Sequence, residues 1–316
     1  MTDAPDDPDD PSAPARERWT AERAFERYEA LRDRLPPAPP GPAEPLRAAT
    51  LAEVAHRYDA FVLDAFGVLN VGEAAIAGAV ERIEALRAAG KRLVVLTNGA
   101  SYPRAWALER YRRLGFDFAP EEVVSSRDLA AASLARRPGL LWAAITSPGA
   151  SFEDVPADLR ALDEDPSLLE RADGFAFLGA EGWDEARQAA LVEALRRRPR
   201  PLVVANPDVV APRERGLSLE PGHYAHAAAE ATGIAPEFHG KPFPGAFAEA
   251  LARIGPGVRP SRVAMVGDTL HTDVLGGRAA GLGTVLVARH GLFRGLDPAP
   301  FWRRSGLAPD VVVETT

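Results

Sequence analysis

Short apolar runs alternate with helical stripes along most of this chain. Phe61-Val62-Leu63 is a continuous apolar run that ends at Asp64. Ile76, Val80, Ile83 and Leu86 recur at helical spacing and predict one amphipathic helix, closed by Gly90. Leu93-Val94-Val95-Leu96 reads as a second strand running into Thr97-Asn98-Gly99, and Leu202-Val203-Val204-Ala205 as another running into Asn206-Pro207-Asp208. Val263-Ala264-Met265-Val266 leads into Gly267-Asp268, and Val285-Leu286-Val287 follows. Strands apolar throughout, rather than on alternate positions, predict a parallel sheet covered by helices on both faces. The polar residues Asp64, Thr97, Asn98 and Asp268 directly follow such runs, at the end of the strands where open α/β sheets bind ligands.

The region before Leu51 reads differently. Residues 1–12 hold five aspartates and three prolines among small residues, the composition of a disordered tail. From about Pro14 to Leu35, Phe25, Tyr28, Leu31 and Leu35 form an apolar stripe between charges and predict an amphipathic helix. That stripe needs a partner, either the chain's own core or a twin subunit. Pro36 to Pro45 carries six prolines, a stiff extended linker.

Composition narrows the classes. With 316 residues, 46% of them apolar, the chain can bury a sizeable core. It has no apolar run long enough to predict a membrane span and no secretory signal pattern, so a cytoplasmic location is expected. Zero cysteines exclude disulfides, thiolate metal sites and a cysteine nucleophile. A net charge of −8 speaks against a nucleic-acid partner. The basic run Arg196-Arg197-Arg198 falls at a helix end, where cations suit the dipole.

Four polar segments occur in order: Asp64-Ala65-Phe66-Gly67-Val68-Leu69, Thr97-Asn98-Gly99, Gly240-Lys241-Pro242, and Gly267-Asp268-Thr269-Leu270-His271-Thr272-Asp273. Singly, each has a plain reading as a helix cap, a turn or a solvated loop. Together, over roughly residues 50–295, they resemble the motif series of the haloacid dehalogenase (HAD) superfamily. About 140 residues separate the second and third segments. That gap, with Asn206-Pro207-Asp208, resembles the type-2 cap of class IIA, the 4-nitrophenylphosphatase-like group. The resemblance implies a Rossmann-like α/β core with an inserted α/β cap: core over 46–137 and 237–316, cap over 138–236, preceded by the tail, helix and linker of 1–45. Gly216 to Gly222 is expected on the cap face that meets substrate.

The resemblance also assigns roles. Asp64 is the expected nucleophile, forming an aspartyl-phosphate and splitting one hard displacement into two easier ones. Lys241 is expected to neutralise charge developing on the phosphate. Asp64, Asp268 and the backbone carbonyl of Phe66 are the expected ligands of Mg²⁺, with Asp273 supporting them. Thr97 and the amides of Asn98 and Gly99 are expected to hold phosphate oxygens. The expected partner is a small phosphorylated metabolite, and self-association stays open.

Position 66 departs from the family pattern. Most phosphatases of the superfamily have a second aspartate there, which protonates the leaving oxygen; phenylalanine does not. General acid–base help contributes ~10²–10⁴ in rate. Three readings therefore stand side by side. One is a phosphatase with a substitute acid or an undemanding leaving group, for which His271 is the nearest candidate in sequence. The second is a carbon–halogen hydrolase, whose halide leaves without a proton. The third is a non-catalytic binding or regulatory protein on the same fold, like a branch of class IIA that also carries an aromatic residue here.

Overall fold

The structure is a computed structural model that describes residues 19–213 and 216–316. The acidic tail expected over 1–12 and the beginning of the helix expected from Pro14 lie outside the described residues. Seven strands form one sheet in the spatial order Leu46–Thr50, Val311–Thr315, Gly283–Val287, Val263–Gly267, Ala60–Leu63, Arg92–Thr97, Val123–Ser125. Every pairing in it is parallel. The continuous apolar runs are explained by two buried faces. Phe61, Leu63, Val95 and Val266 pack with Ile83 and Leu86 on one side. Val62, Val94 and Met265 pack with Phe247 and Ala250 on the other. The helix expected from Ile76 begins at Ala79, behind Gly78 in a left-handed conformation, and runs to Ala88. Ile76 lies ahead of it and is still buried.

A second parallel sheet has the order Glu237–Phe238, Leu202–Val204, Gly174–Phe177, Leu141–Ile145, Asp158–Ala161. Its edge strand, Glu237–Phe238, reaches just past the boundary expected at 236. Arg127 joins the two units. Its fully buried guanidinium donates to both oxygens of Asp154 at 2.7 Å and to the Ala100 carbonyl at 3.1 Å. A hairpin, Val210–Pro212 with Leu217–Leu219, returns from the second sheet toward the first.

The N-terminal helix, Ala21–Ala30, is capped by Thr20 and followed by a 3₁₀ turn at Arg32–Arg34. Its stripe docks on the same chain. Phe25 meets Phe301 edge-on with ring centroids 5.2 Å apart, while the Tyr28 hydroxyl accepts the Val209 amide at 3.0 Å. Arg27 makes two 2.9 Å bonds to Glu230 on the helix Pro221–Thr232. This one helix therefore packs against elements of both sheet-bearing units. Burying each large apolar side chain of the stripe contributes about 1.5–3 kcal/mol, enough to hold so short a helix. Among the described residues, no helix is long and apolar enough to cross a membrane.

Candidate active site

The central strand of the first sheet, Ala60–Leu63, lies between Val263–Gly267 and Arg92–Thr97. Because all three run parallel, their carboxyl ends deliver Asp64, Asp268 and Thr97 side by side. Lys241 reaches them from the segment that returns out of the second sheet. Its ammonium lies 2.6 Å from Asp64 Oδ1 and 2.8 Å from Asp273 Oδ1, and the lysine is almost fully buried. Asp273 Oδ2 accepts the Thr269 amide at 3.0 Å, and Asp64 Oδ1 accepts the Ala65 amide at 2.7 Å. Asp268 is held by Thr269 Oγ1 at 2.9 Å and the Leu292 amide at 2.8 Å.

Two glycines make room for this floor. A Cβ on Gly67, whose φ is +76°, would lie 2.8–2.9 Å from the Asp268 side chain. One on Gly291 would lie 1.7 Å from Asp268 Oδ2. Both positions exclude a side chain as long as Asp268 stays where it is.

The charges do not balance locally. Asp64, Asp268 and Asp273 place carboxylate oxygens within 4.8 Å of one another, with one lysine between them. Burial, then repulsion from Asp273 and Asp268, raises the Asp64 carboxyl well above its ordinary range, against the pull of Lys241. Asp268 is pushed to about 6, again by burial and then by Asp273. Burial alone would lower the Lys241 ammonium, but Asp273, Asp64 and Asp208 together raise it. Surplus negative charge on hard oxygen donors fits a divalent cation, which would relieve the repulsion.

Asn98 does more structural work than its expected role suggested. Its side-chain amide donates to Asp208 Oδ1 at 2.8 Å and to the Lys241 carbonyl at 2.9 Å, and its oxygen accepts the Lys241 amide at 2.7 Å. It thus cross-braces three of the sequence segments. The Gly99 amide donates to Thr97 Oγ1 at 3.1 Å. Asn206 closes a local turn on the Asp208 amide at 2.9 Å and donates to Glu220 at 3.1 Å. Asp208 is raised to about 7, chiefly by burial, with Lys241 and Asn98 opposing.

A cavity of about 510 Å³ opens over this floor. Asp64, Phe66, Thr97, Asn98, Gly99, Asn206, Asp208 and Asp268 all line it, while Lys241 and Asp273 lie beneath. Of the stretch from Gly216 to Gly222, Glu220 alone lines the cavity; residues 214–215 lie outside the described residues. His271 is not in the wall. It is buried against Phe25 and stacked on Tyr28 at 4.9 Å, with Nε2 2.6 Å from Glu29. Its place in the fourth segment made it a candidate acid, but the segment folds as a π-helical turn, Leu270–Val274, that aims it away. Tyr102, Trp106 and Arg110, which carry no motif, also line the cavity. A hint was available in their position soon after Gly99: Tyr102 lies in the loop that follows the strand's carboxyl end, and Trp106 and Arg110 lie on the helix Arg104–Arg113 behind it.

Comparison with known proteins agrees with this geometry. The family profile described as haloacid dehalogenase-like hydrolase matches residues 61–153, and a second, HAD-hydrolase-like profile matches 238–313. The chain belongs to the haloacid dehalogenase-like hydrolases, and its inserted α/β unit places it with the class IIA members. An acid sugar phosphatase of Staphylococcus aureus is 30% identical over 235 residues, which is 73% of this chain and 86% of the relative. A solved structure from Cytophaga hutchinsonii, described as a possible sugar phosphatase, superposes with a TM-score of 0.75 at 25% identity, covering 85% of this chain and 98% of that one. A glycerol phosphate phosphatase from Mycobacterium tuberculosis, solved with magnesium, has a TM-score of 0.59 at 30% identity, covering 75% of this chain and 69% of that one.

Proposed function

We propose that this chain is a Mg²⁺-dependent phosphatase that cleaves a small phosphomonoester through an aspartyl-phosphate on Asp64. The observation that carries the reading is the pairing of Lys241 with both Asp64 and Asp273 at the cavity floor. In the first step a carboxylate oxygen of Asp64 forms a bond to phosphorus, and the bond to the leaving oxygen breaks. In the second, water attacks the same phosphorus, releasing inorganic phosphate and restoring the carboxylate. Lys241 holds the nucleophile in place and offsets charge on the transferring group. Thr97 and the amides after it lie where phosphate oxygens bind at a strand end. Mg²⁺, held by Asp64, Asp268 and the Phe66 carbonyl, would supply positive charge to the phosphate oxygens when bound.

Phe66 gives the leaving oxygen no proton. The absence of that help is worth ~10²–10⁴ in rate for a poor leaving group and little for a good one. The named relatives support the phosphatase reading over carbon–halogen hydrolysis. Phosphate release from 4-nitrophenyl phosphate, measured with Mg²⁺, with a chelator, and with Asp64→Asn, tests it. Turnover is expected only when Mg²⁺ and Asp64 are both present. No turnover by a folded protein that binds Mg²⁺ overturns the reading in favour of halide release or simple binding.

A further inference from the structure

Two large aromatic residues stand exposed at the cavity wall. Tyr102 is 46% exposed and Trp106 63%, and their rings lie parallel, 3° apart in tilt, with centroids 5.0 Å apart. Both line the same cavity as Asp64. The local sequence sets this up. Pro103 caps the helix Arg104–Arg113, and the Trp106 amide donates to the Pro103 carbonyl at 2.9 Å, so Trp106 comes one turn after Tyr102. The chain runs from Thr97 and Gly99 at the phosphate end directly to this pair. A stacked pair kept open to solvent, beside a catalytic floor, is an unusual use of apolar surface.

Part of the wall beyond the pair is apolar, while the remainder is polar or charged. Phe66, Ala107, Val210 and Ala211 line the cavity as well. Arg110 and Arg213, which also line it, are engaged with the protein: Arg110 with Glu73 at 3.1 Å and the Gly72 carbonyl at 2.5 Å, Arg213 with Glu220 at 2.8 Å. An independent chemical argument points the same way. With phenylalanine at position 66, the favoured leaving group is one that departs as an anion unaided, and a phenoxide does so more readily than an alkoxide. Aromatic surface and a missing proton donor thus select the same substrate class.

We propose that Tyr102 and Trp106 are specificity-determining residues that stack on the ring of an aryl phosphate, whose phosphorus sits over Asp64. This rests on the phosphatase reading and deepens it. The reaction balances as before: the phosphorus–oxygen bond to the ring breaks, the phenoxide leaves with the electron pair, and water supplies the oxygen of the released phosphate. Its proton comes from solvent after departure.

The test compares two phosphates that both leave without acid help, 4-nitrophenyl phosphate with a ring and acetyl phosphate without one. Wild type, Trp106→Ala, Trp106→Phe and the double variant Tyr102→Ala/Trp106→Ala are assayed with Mg²⁺ on both. Aromatic stacking of ordinary strength predicts a rise in KM of about 3–10-fold for the aryl compound in Trp106→Ala, with kcat within about twofold. The rise should be larger in the double variant, near wild type in Trp106→Phe, and absent for acetyl phosphate. Both side chains are exposed, so truncation leaves the core intact, and matched unfolding curves verify this. Equal effects on the two compounds, or none on either, overturn the platform while the phosphatase reading stands. Wild-type turnover of acetyl phosphate alone does the same. Wild-type turnover of neither compound overturns the phosphatase reading, and this inference with it.

Discussion

The π-helical turn Leu270–Val274 faces two regions of the molecule built on opposite terms. Toward the cavity, Thr272 lines the wall and Asp273 joins Asp64 and Asp268 around Lys241. Toward the N-terminal helix, Leu270 and Val274 pack among Phe25, Tyr28 and Leu31, and His271 pairs with Glu29. The first side concentrates unbalanced charge; the second buries apolar surface and matches its polar groups. A buried cluster of like charges is tolerated where catalysis uses it, and the adjoining apolar contact helps to hold it together. The N-terminal helix, which lies outside both matched family profiles, supplies that contact.

Substitutions on each side test this division. Asp64→Asn is expected to have the largest effect, lowering turnover by on the order of 10⁴. Three carboxylates share one lysine, so removing a negative charge relieves repulsion. The unfolding midpoint of this variant is therefore expected not to fall, as a thermal melt would show. Phe25→Ala on the opposite side is expected to lower folding stability by about 3–5 kcal/mol in a denaturant titration. Turnover per folded molecule should stay within about twofold. A parallel loss of turnover would show that the two sides are coupled rather than divided.

Gly291→Ala comes next. Its Cβ must displace Asp268, with an expected loss of about 10²-fold in turnover and weaker Mg²⁺ binding by calorimetry. Glu29→Gln should be the mildest, at about 1 kcal/mol of stability with unchanged turnover. Glu29 is held below its ordinary value, first by its hydrogen bond to His271. Its contribution is thus present above the usual glutamate range and is lost as pH falls through it. The melting difference between wild type and Glu29→Gln should accordingly shrink in acid.

Much of the core was legible from the chain. Asp64, Thr97 and Asp268 follow apolar runs, and the runs proved to be neighbouring parallel strands. His271 was misleading because closeness in sequence to Asp268 and Asp273 says nothing of direction within an irregular turn. Its partner, Glu29, is 242 residues away. Asn98 carried a motif, yet its side chain braces Lys241 and Asp208 across the fold. Tyr102 and Trp106 carried none.

What the sequence determined by itself is local: apolar strands ended by carboxylates, a helix closed by Gly90, a stripe that needs burial. These follow from backbone period and turn chemistry over a few residues. Tertiary structure alone decided which charges share Lys241, which way His271 faces, where the N-terminal stripe docks, and that Tyr102 and Trp106 stand open beside Asp64. Those outcomes depend on groups brought together from distant parts of the chain, where burial and pairing act only after the fold has formed.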